Sequence, residues 1–95
     1  MPLQHEKLVS IATTLKALAH PLRLGIVYLL ADREALKVTD IYTKLGIGQA
    51  EASRQLGILR RTGLLNSKRT GKNIWYSLKD RQILEILSSA ERFNS

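Results

Sequence analysis

The sequence predicts a mainly α domain carrying one small β-hairpin. Three observations carry that prediction. Apolar residues recur at steps of three and four from Leu8 to Leu59. Two short strand-like runs then flank the turn-forming tetrad Thr70-Gly71-Lys72-Asn73. A last helical stripe follows Asp80. Periodicity near 3.6 marks amphipathic helices, and a polar Gly-containing turn between β-branched and aromatic residues marks a hairpin.

The elements can be justified in order. Leu8, Ile11, Leu15 and Leu18 predict a first helix over residues 4–19. His20-Pro21 ends it, because the residue before proline is displaced from the α region. Pro21 suits the first turn of a second helix, where its missing N–H is not needed. Leu22, Ile26, Leu29 and Leu30 give that helix, residues 21–30, its inner side. A polar connection follows over residues 31–34, then an extended piece around residues 35–38. Thr39 is a suitable N-cap for a short third helix over residues 40–45, with Asp40 favourable at the positive helix end. Gly46 supplies its left-handed stop. Ala52, Leu56 and Leu59 form the inner side of a fourth helix that Gly63 ends. Residues 39–62 thus read as a helix-turn-helix. Strand runs at 65–69 and 74–78 form a hairpin across residues 65–78. Asp80 caps a final helix, residues 80–93, with Ile83, Ile86, Leu87, Ala90 and Phe93 as its stripe. The order is that of a winged helix-turn-helix with an extra helix at each end, one domain spanning residues 1–95.

Charge narrows the function. Fifteen Lys and Arg against eight Asp and Glu leave +7. Seven of the basic residues and only one acid lie between Gly48 and Lys79. A concentrated basic block suits a polyanion, whose phosphates reward Lys and Arg by counterion release. Charge alone leaves a solvated basic surface equally open. With no cysteine, disulfides, thiolate metal sites and thiol redox sensing are excluded. No run is long enough for a membrane span and no signal-peptide pattern opens the chain, so the expectation is a cytoplasmic protein without a membrane partner. No Ser-His-acid set, phosphate-cradling loop or carboxylate pair points to catalysis. A chain this small would also gain from pairing with a second copy.

The fourth helix carries the sharpest signal. With Ala52, Leu56 and Leu59 turned inward, Gln49, Ala50, Ser53 and Arg54 share the opposite side in its first turns. Recognition helices meet base edges with that end. Gln pairs with adenine, Arg with guanine, Ser with either donors or acceptors, and Ala can meet a thymine methyl. Gly48 leaves the first N–H groups clear for a phosphate. Lys68, Arg69, Lys72 and Asn73 would sit on a protruding wing suited to phosphate or minor-groove contact. Arg60 and Arg61 are ambiguous, since they also neutralise the negative end of their helix. Trp75 and Tyr76 read as packing residues. Gly25 and Gly57 each cost about 1 kcal/mol against Ala in a helix interior; close approach and sequence drift both remain open as reasons.

"LKALAHPLRLGIVYLL", "VTDIYTKLGIGQAEASRQLGILRRTGLL" and "SKRTGKNIWYSL" resemble the ArsR/SmtB family of bacterial transcriptional repressors, from about Leu15 to Leu78. Ala-Leu-Ala-x-Pro-x-Arg-Leu opens the second helix, Ser-x-Gln-Leu-x-x-Leu lies in the fourth, and Tyr-Ser-Leu closes the wing. The resemblance implies a homodimer paired through the first and last helices, which places Leu8, Ile11, Leu15, Leu18, Ile83, Ile86, Leu87 and Ala90 at the interface. It also implies double-stranded DNA as partner, with Gln49, Ser53 and Arg54 at bases and Lys68, Arg69 and Lys72 in a DNA-contacting wing.

The departures from the family pattern matter as much. Where many relatives carry a metal-sensing Cys-x-Cys pair, this chain has Lys37 and Thr39. Where another class holds zinc on the last helix, there is no histidine, and Asp80 with Glu91 makes a poor site. His5 and His20 read as a terminal and a helix-junction residue. The expectation is no metal and no cofactor. The effector is left as a small organic molecule, a protein, or none. Two other functions stay open at this point: a non-specific architectural DNA binder, and an antitoxin-like protein-interaction module.

Overall fold

The computed structural model describes residues 3–95 and contains five helices and a three-stranded sheet. Helix α1 runs His5–Leu18 and α2 Pro21–Leu29. Strand β1, Leu36–Lys37, leads directly into α3, Val38–Leu45, and α4 follows at Gln49–Arg61. Strands β2, Leu65–Thr70, and β3, Asn73–Leu78, form the wing, and α5 runs Ile83–Phe93. The sheet order is β1-β3-β2, all antiparallel, with Leu36 opposite Tyr76 and Leu65 opposite Leu78.

One core holds these parts together. Leu18, Ile26, Val27, Leu30, Leu36, Ile41, Leu56, Leu59, Leu65, Leu78, Ile83 and Leu87 are buried against one another. The expected inner residues of α4, Ala52, Leu56 and Leu59, are all fully buried. In α2 the fully buried set is Ile26, Val27 and Leu30, while Leu22 and Leu29 are only half-buried.

Several boundaries differ from expectation for local reasons. Thr39 does not cap α3. Pairing of Lys37 with Trp75 fixes the extended backbone one residue before the helix, so Lys37 occupies the cap position without a side-chain bond and Thr39 lies inside the first turn. Asp80 does not cap α5 directly. Its Oδ1 accepts from the Gln82 N–H at 2.9 Å, heading a tight turn of i→i+3 bonds, and the regular helix begins only at Ile83. His20 does cap a helix: its Nδ1 accepts the Leu22 N–H at 3.1 Å while Pro21 takes the first position of α2. Gly46 stops α3 with φ of 67°, as its spacing predicts.

The eight residues expected at a dimer surface differ in burial within the single chain. Leu18, Ile83 and Leu87 are 5%, 7% and 4% exposed within the single chain. They anchor α1 and α5 to the protomer's own core. Leu8, Ile11, Leu15, Ile86 and Ala90 remain exposed.

The two interior glycines separate. A Cβ on Gly25 would stand 3.1 Å from Leu45 Cδ2, so α2 and α3 pack closely there. A Cβ on Gly57 would meet only the mobile guanidinium of Arg61. Close approach therefore accounts for the first and not for the second.

Candidate nucleic-acid interface

Helix α4 lies with its apolar side sealed and its N-terminal half open. Gln49, Ala50, Ser53 and Arg54 are all exposed. Arg54 reaches back one turn to Glu51, with Nη2–Oε2 at 3.1 Å. Glu51 is the single acid of the helix. Gly48 occupies the N-cap position without a side-chain bond, leaving the first N–H groups of α4 without a side-chain acceptor.

The wing is brought against this helix by the sheet register. Successive residues of a strand point to opposite faces. Ile74 and Tyr76, with their partners Arg69 and Ser67, lie on the face that continues into the core. Trp75 lies on the other face beside Lys68 and Lys37. One concave surface is consequently lined by Gln49 and Ser53 of α4, Lys72 and Asn73 of the wing turn, and Lys37 and Thr39 at the start of α3. Two exposed polar side chains of the helix, Gln49 and Ser53, thus share a groove with a basic, hydrogen-bonding wing tip.

The expected DNA-contacting residues divide accordingly. Gln49, Ser53, Lys72 and Asn73 come together in the groove, with Ala50 and Arg54 on the adjoining exposed helix face. Arg69 is exposed on the same sheet face as Ile74. Lys68 projects from the outer face, away from the groove, into a shallow depression with Asn66, Thr70, Trp75 and Ser77. The Lys37 ammonium sits 5.7 Å from the Trp75 ring centroid, within the range of a cation–π contact. Arg60 and Arg61 are exposed in the last turn of α4, with the Arg61 guanidinium lying beside Gly57.

Sequence reasoning missed two sets of residues. Thr39 and Lys37 border the groove because β1 pairs with β3, although the Lys37 ammonium itself lies over Trp75 on the outer face; a two-residue strand leaves no period to read. Arg23 and Gln55 were missed because both look like surface residues. Gln55 is 4% exposed, and its Oε1 accepts from Arg23 Nη1 at 2.7 Å. The Arg23 side chain also donates to Ala17 O at 2.6 Å and to Lys16 O at 3.4 Å. The single usable signal was the Arg in Pro-x-Arg, one turn into a helix that follows a sharp corner.

No helix among the described residues is long and apolar enough to cross a membrane. Among those residues no group of three His, Asp or Glu gathers into a potential metal site.

Comparison with known proteins places this geometry. Residues 20–67 match the family model "Bacterial regulatory protein, arsR family". The HTH-type transcriptional regulator NmtR of Mycobacterium tuberculosis is 39% identical over 94% of this chain and 73% of its own length. The biofilm growth-associated repressor of Xylella fastidiosa is 35% identical over 83% of this chain and 68% of its own length. Among solved structures, HlyU from Vibrio cholerae superposes with a TM-score of 0.83 at 27% identity, covering 95% of this chain and 97% of that one. A homodimeric winged helix-turn-helix DNA-binding domain, Mb0332 of Mycobacterium bovis, superposes with a TM-score of 0.82 at 27% identity, over 97% and 87% of the two chains. The match spans half the chain, includes both helices of the helix-turn-helix, and agrees with the fold: this chain belongs to the arsR family of bacterial regulatory proteins, transcriptional regulators built on a winged helix-turn-helix.

Proposed function

We propose that the chain acts as a homodimeric, sequence-specific binder of double-stranded DNA that represses transcription by occupying a two-fold related operator. The observation that carries this reading is the shared groove of Gln49, Ser53, Lys72 and Asn73 beside the exposed Arg54. Each subunit sets the N-terminal half of α4 into a major groove, where Gln49, Ser53 and Arg54 meet base edges and Ala50 packs on a thymine methyl. Lys72, Asn73 and Arg69 hold the flanking backbone. Lys68 contributes general positive potential from the outer sheet face. The two α4 helices enter grooves about one helical turn apart, which calls for an imperfect palindrome.

Pairing proceeds through the exposed apolar residues of α1 and α5: Leu8, Ile11, Leu15, Ile86 and Ala90. Solvent-facing stripes of this kind normally find cover, and a homodimer is the assembly named for the Mycobacterium bovis neighbour. Relatives include proteins named as repressors and one named as an activator; operator occupancy makes repression the simpler outcome. The reading involves no catalytic step and places the protein in the bacterial cytoplasm, where an unidentified small molecule or protein would act as effector.

Fluorescence anisotropy on the promoter of its own gene and on a shuffled duplex, over a salt series, tests this. A preference of roughly 10³-fold supports specific regulation. If random-sequence selection also yields no preferred site and binding is equally salt-steep throughout, the protein is an architectural binder instead. Negligible DNA binding with a stoichiometric protein partner would favour an interaction module.

A further inference from the structure

We propose that Arg23 and Gln55 are positioning residues that register the recognition helix α4 against α1 and so set the separation of the two half-sites read by the dimer. The proposal rests on the dimeric DNA-binding reading above and adds how its geometry is fixed.

The physical case begins at the α1–α2 corner. Side chains of a helix lean toward its N-terminus. Arg23, in the first turn of α2, therefore projects back across the corner rather than outward. There it meets the last carbonyls of α1, the negative end of that helix, where Lys16 O also accepts the Ala19 N–H. It donates to Ala17 O at 2.6 Å and Lys16 O at 3.4 Å. The remaining arm of the fork donates to Gln55 Oε1 at 2.7 Å. One planar group thus ties the C-terminal end of α1 to the middle of α4. Arg suits this task because its donors are fixed in one plane, so three bonds specify direction as well as distance.

Gln55 is the buried polar side chain of the core. An apolar residue of similar shape would pack there without needing a partner, so the amide serves specificity of arrangement more than cohesion. Ser53 and Arg54 immediately precede it in sequence and are exposed where it is buried. A side chain on α4 ends about 5–6 Å from the helix axis. A rotation of about 10° therefore moves its reading atoms by about 1 Å, and the width of a hydrogen-bond window is only about 0.5 Å. Apolar packing along α4 resists translation well and rotation less well. A directed bond to α1 supplies the missing constraint. Since α1 carries the exposed stripe Leu8, Ile11, Leu15, its position in the dimer is set by the partner, and Arg23 passes that position to α4.

The test uses the absence of cysteine, which makes site-specific spin labelling direct. Ser53→Cys in every background gives one label per subunit, and pulsed dipolar spectroscopy reads the distance between the two α4 helices without DNA. Gln55→Met removes the acceptor and keeps the shape; Gln55→Glu keeps an acceptor for Arg23; Arg23→Lys keeps the charge and loses the fork. The parent gives one narrow distance distribution, and Gln55→Met and Arg23→Lys broaden or shift it by about 2 Å, twice the displacement of one subunit. Gln55→Glu restores the narrow form. In parallel, without labels, binding to operators with half-sites moved apart by one base pair falls at least tenfold for wild type and less than threefold for Gln55→Met. A folded, dimeric Gln55→Met protein with the parent's distance distribution overturns the proposal while leaving the DNA-binding reading intact. A parent that is monomeric at every concentration overturns both. Should Gln55→Met fail to fold, Arg23→Lys decides by the same criteria.

Discussion

Replacing Arg54 by alanine separates a role in reading DNA from a role in holding the fold. The side chain of Arg54 is 69% exposed, and its one ionic contact is to Glu51 on the same helix at 3.1 Å. A surface pair one turn apart, here with Arg54 exposed and Glu51 half-buried, contributes about 0.2–0.5 kcal/mol. For a domain of this size that corresponds to a Tm decrease of about 4 °C or less. Against this, a guanidinium forked onto guanine contributes about 1–3 kcal/mol of discrimination at its base pair, or about 5- to 150-fold in relative affinity. Arg54→Ala should therefore leave thermal unfolding nearly unchanged while flattening base preference at one position in each half-site. Selection from a randomised duplex pool, followed by anisotropy on matched and single-mismatch operators, reads both effects. An unchanged preference profile with reduced affinity on every sequence would assign Arg54 to the phosphate backbone. A Tm loss well beyond 4 °C would show that the Glu51 contact is structural and that the surface reasoning failed.

The remaining predictions concern the wing, the dimer, the helix interior and pH. Lys72→Ala should weaken binding to all sequences alike and reduce the salt slope by about one, measured by anisotropy across a salt series. Ile11→Glu should raise the dimer dissociation constant roughly 100-fold, at about 1.5 kcal/mol for each of two copies; sedimentation velocity checks it. Gly57→Ala meets only the Arg61 guanidinium and should raise stability by about 1 kcal/mol in urea melts, whereas Gly25→Ala, held against Leu45 at 3.1 Å, should fall short of that gain. The Tyr28 hydroxyl donates to Glu91 Oε2 at 2.5 Å, and this bond, some desolvation and the Glu91 charge raise its pKa above the ordinary tyrosine value of 10.0. A raised pKa means a contribution fully present below the unfolded value and lost as pH rises through the folded one. Stability should thus decline above about pH 10 in wild type, and Tyr28→Phe should lack that part of the decline in alkaline urea titrations.

How much of this was legible beforehand depended on period. The α4 stripe was readable because that helix buries one side, Ala52, Leu56 and Leu59, against a single core. Leu56 and Leu59 could be placed inside, and Gln49 and Ser53 outside, from spacing alone. The wing was readable from its turn, yet the facing of Lys68 and Arg69 was not. They are neighbours in a strand, so one must lie on each face, and only the pairing of Lys68 with Trp75 and Arg69 with Ile74 decides which. Lys37 and Thr39 were invisible as groove residues because β1 spans two residues and is defined by its partner strand. Gln55 was invisible as a core residue because its burial depends on Arg23, 32 positions away. Local pattern reports which side of an element is wet. It does not report a bond that makes a polar side chain acceptable inside.

The same limit applies to the first and last helices. A stripe at helical spacing says that one side of α1 is covered, without saying by what. In the structure the stripe is shared. Its C-terminal end, Ala17 and Leu18, enters the protomer core, while Leu8, Ile11 and Leu15 stand about half-exposed. Helix α5 divides likewise, with Ile83 and Leu87 inside and Ile86 and Phe93 out. A 14-residue helix anchored at one end is marginal in water by its own propensity. Its exposed apolar residues therefore need a second surface both to be covered and to hold the helix straight. Because the anchored end is also where Arg23 grips the Ala17 carbonyl while bonding Gln55, whatever orders α1 is mechanically continuous with α4.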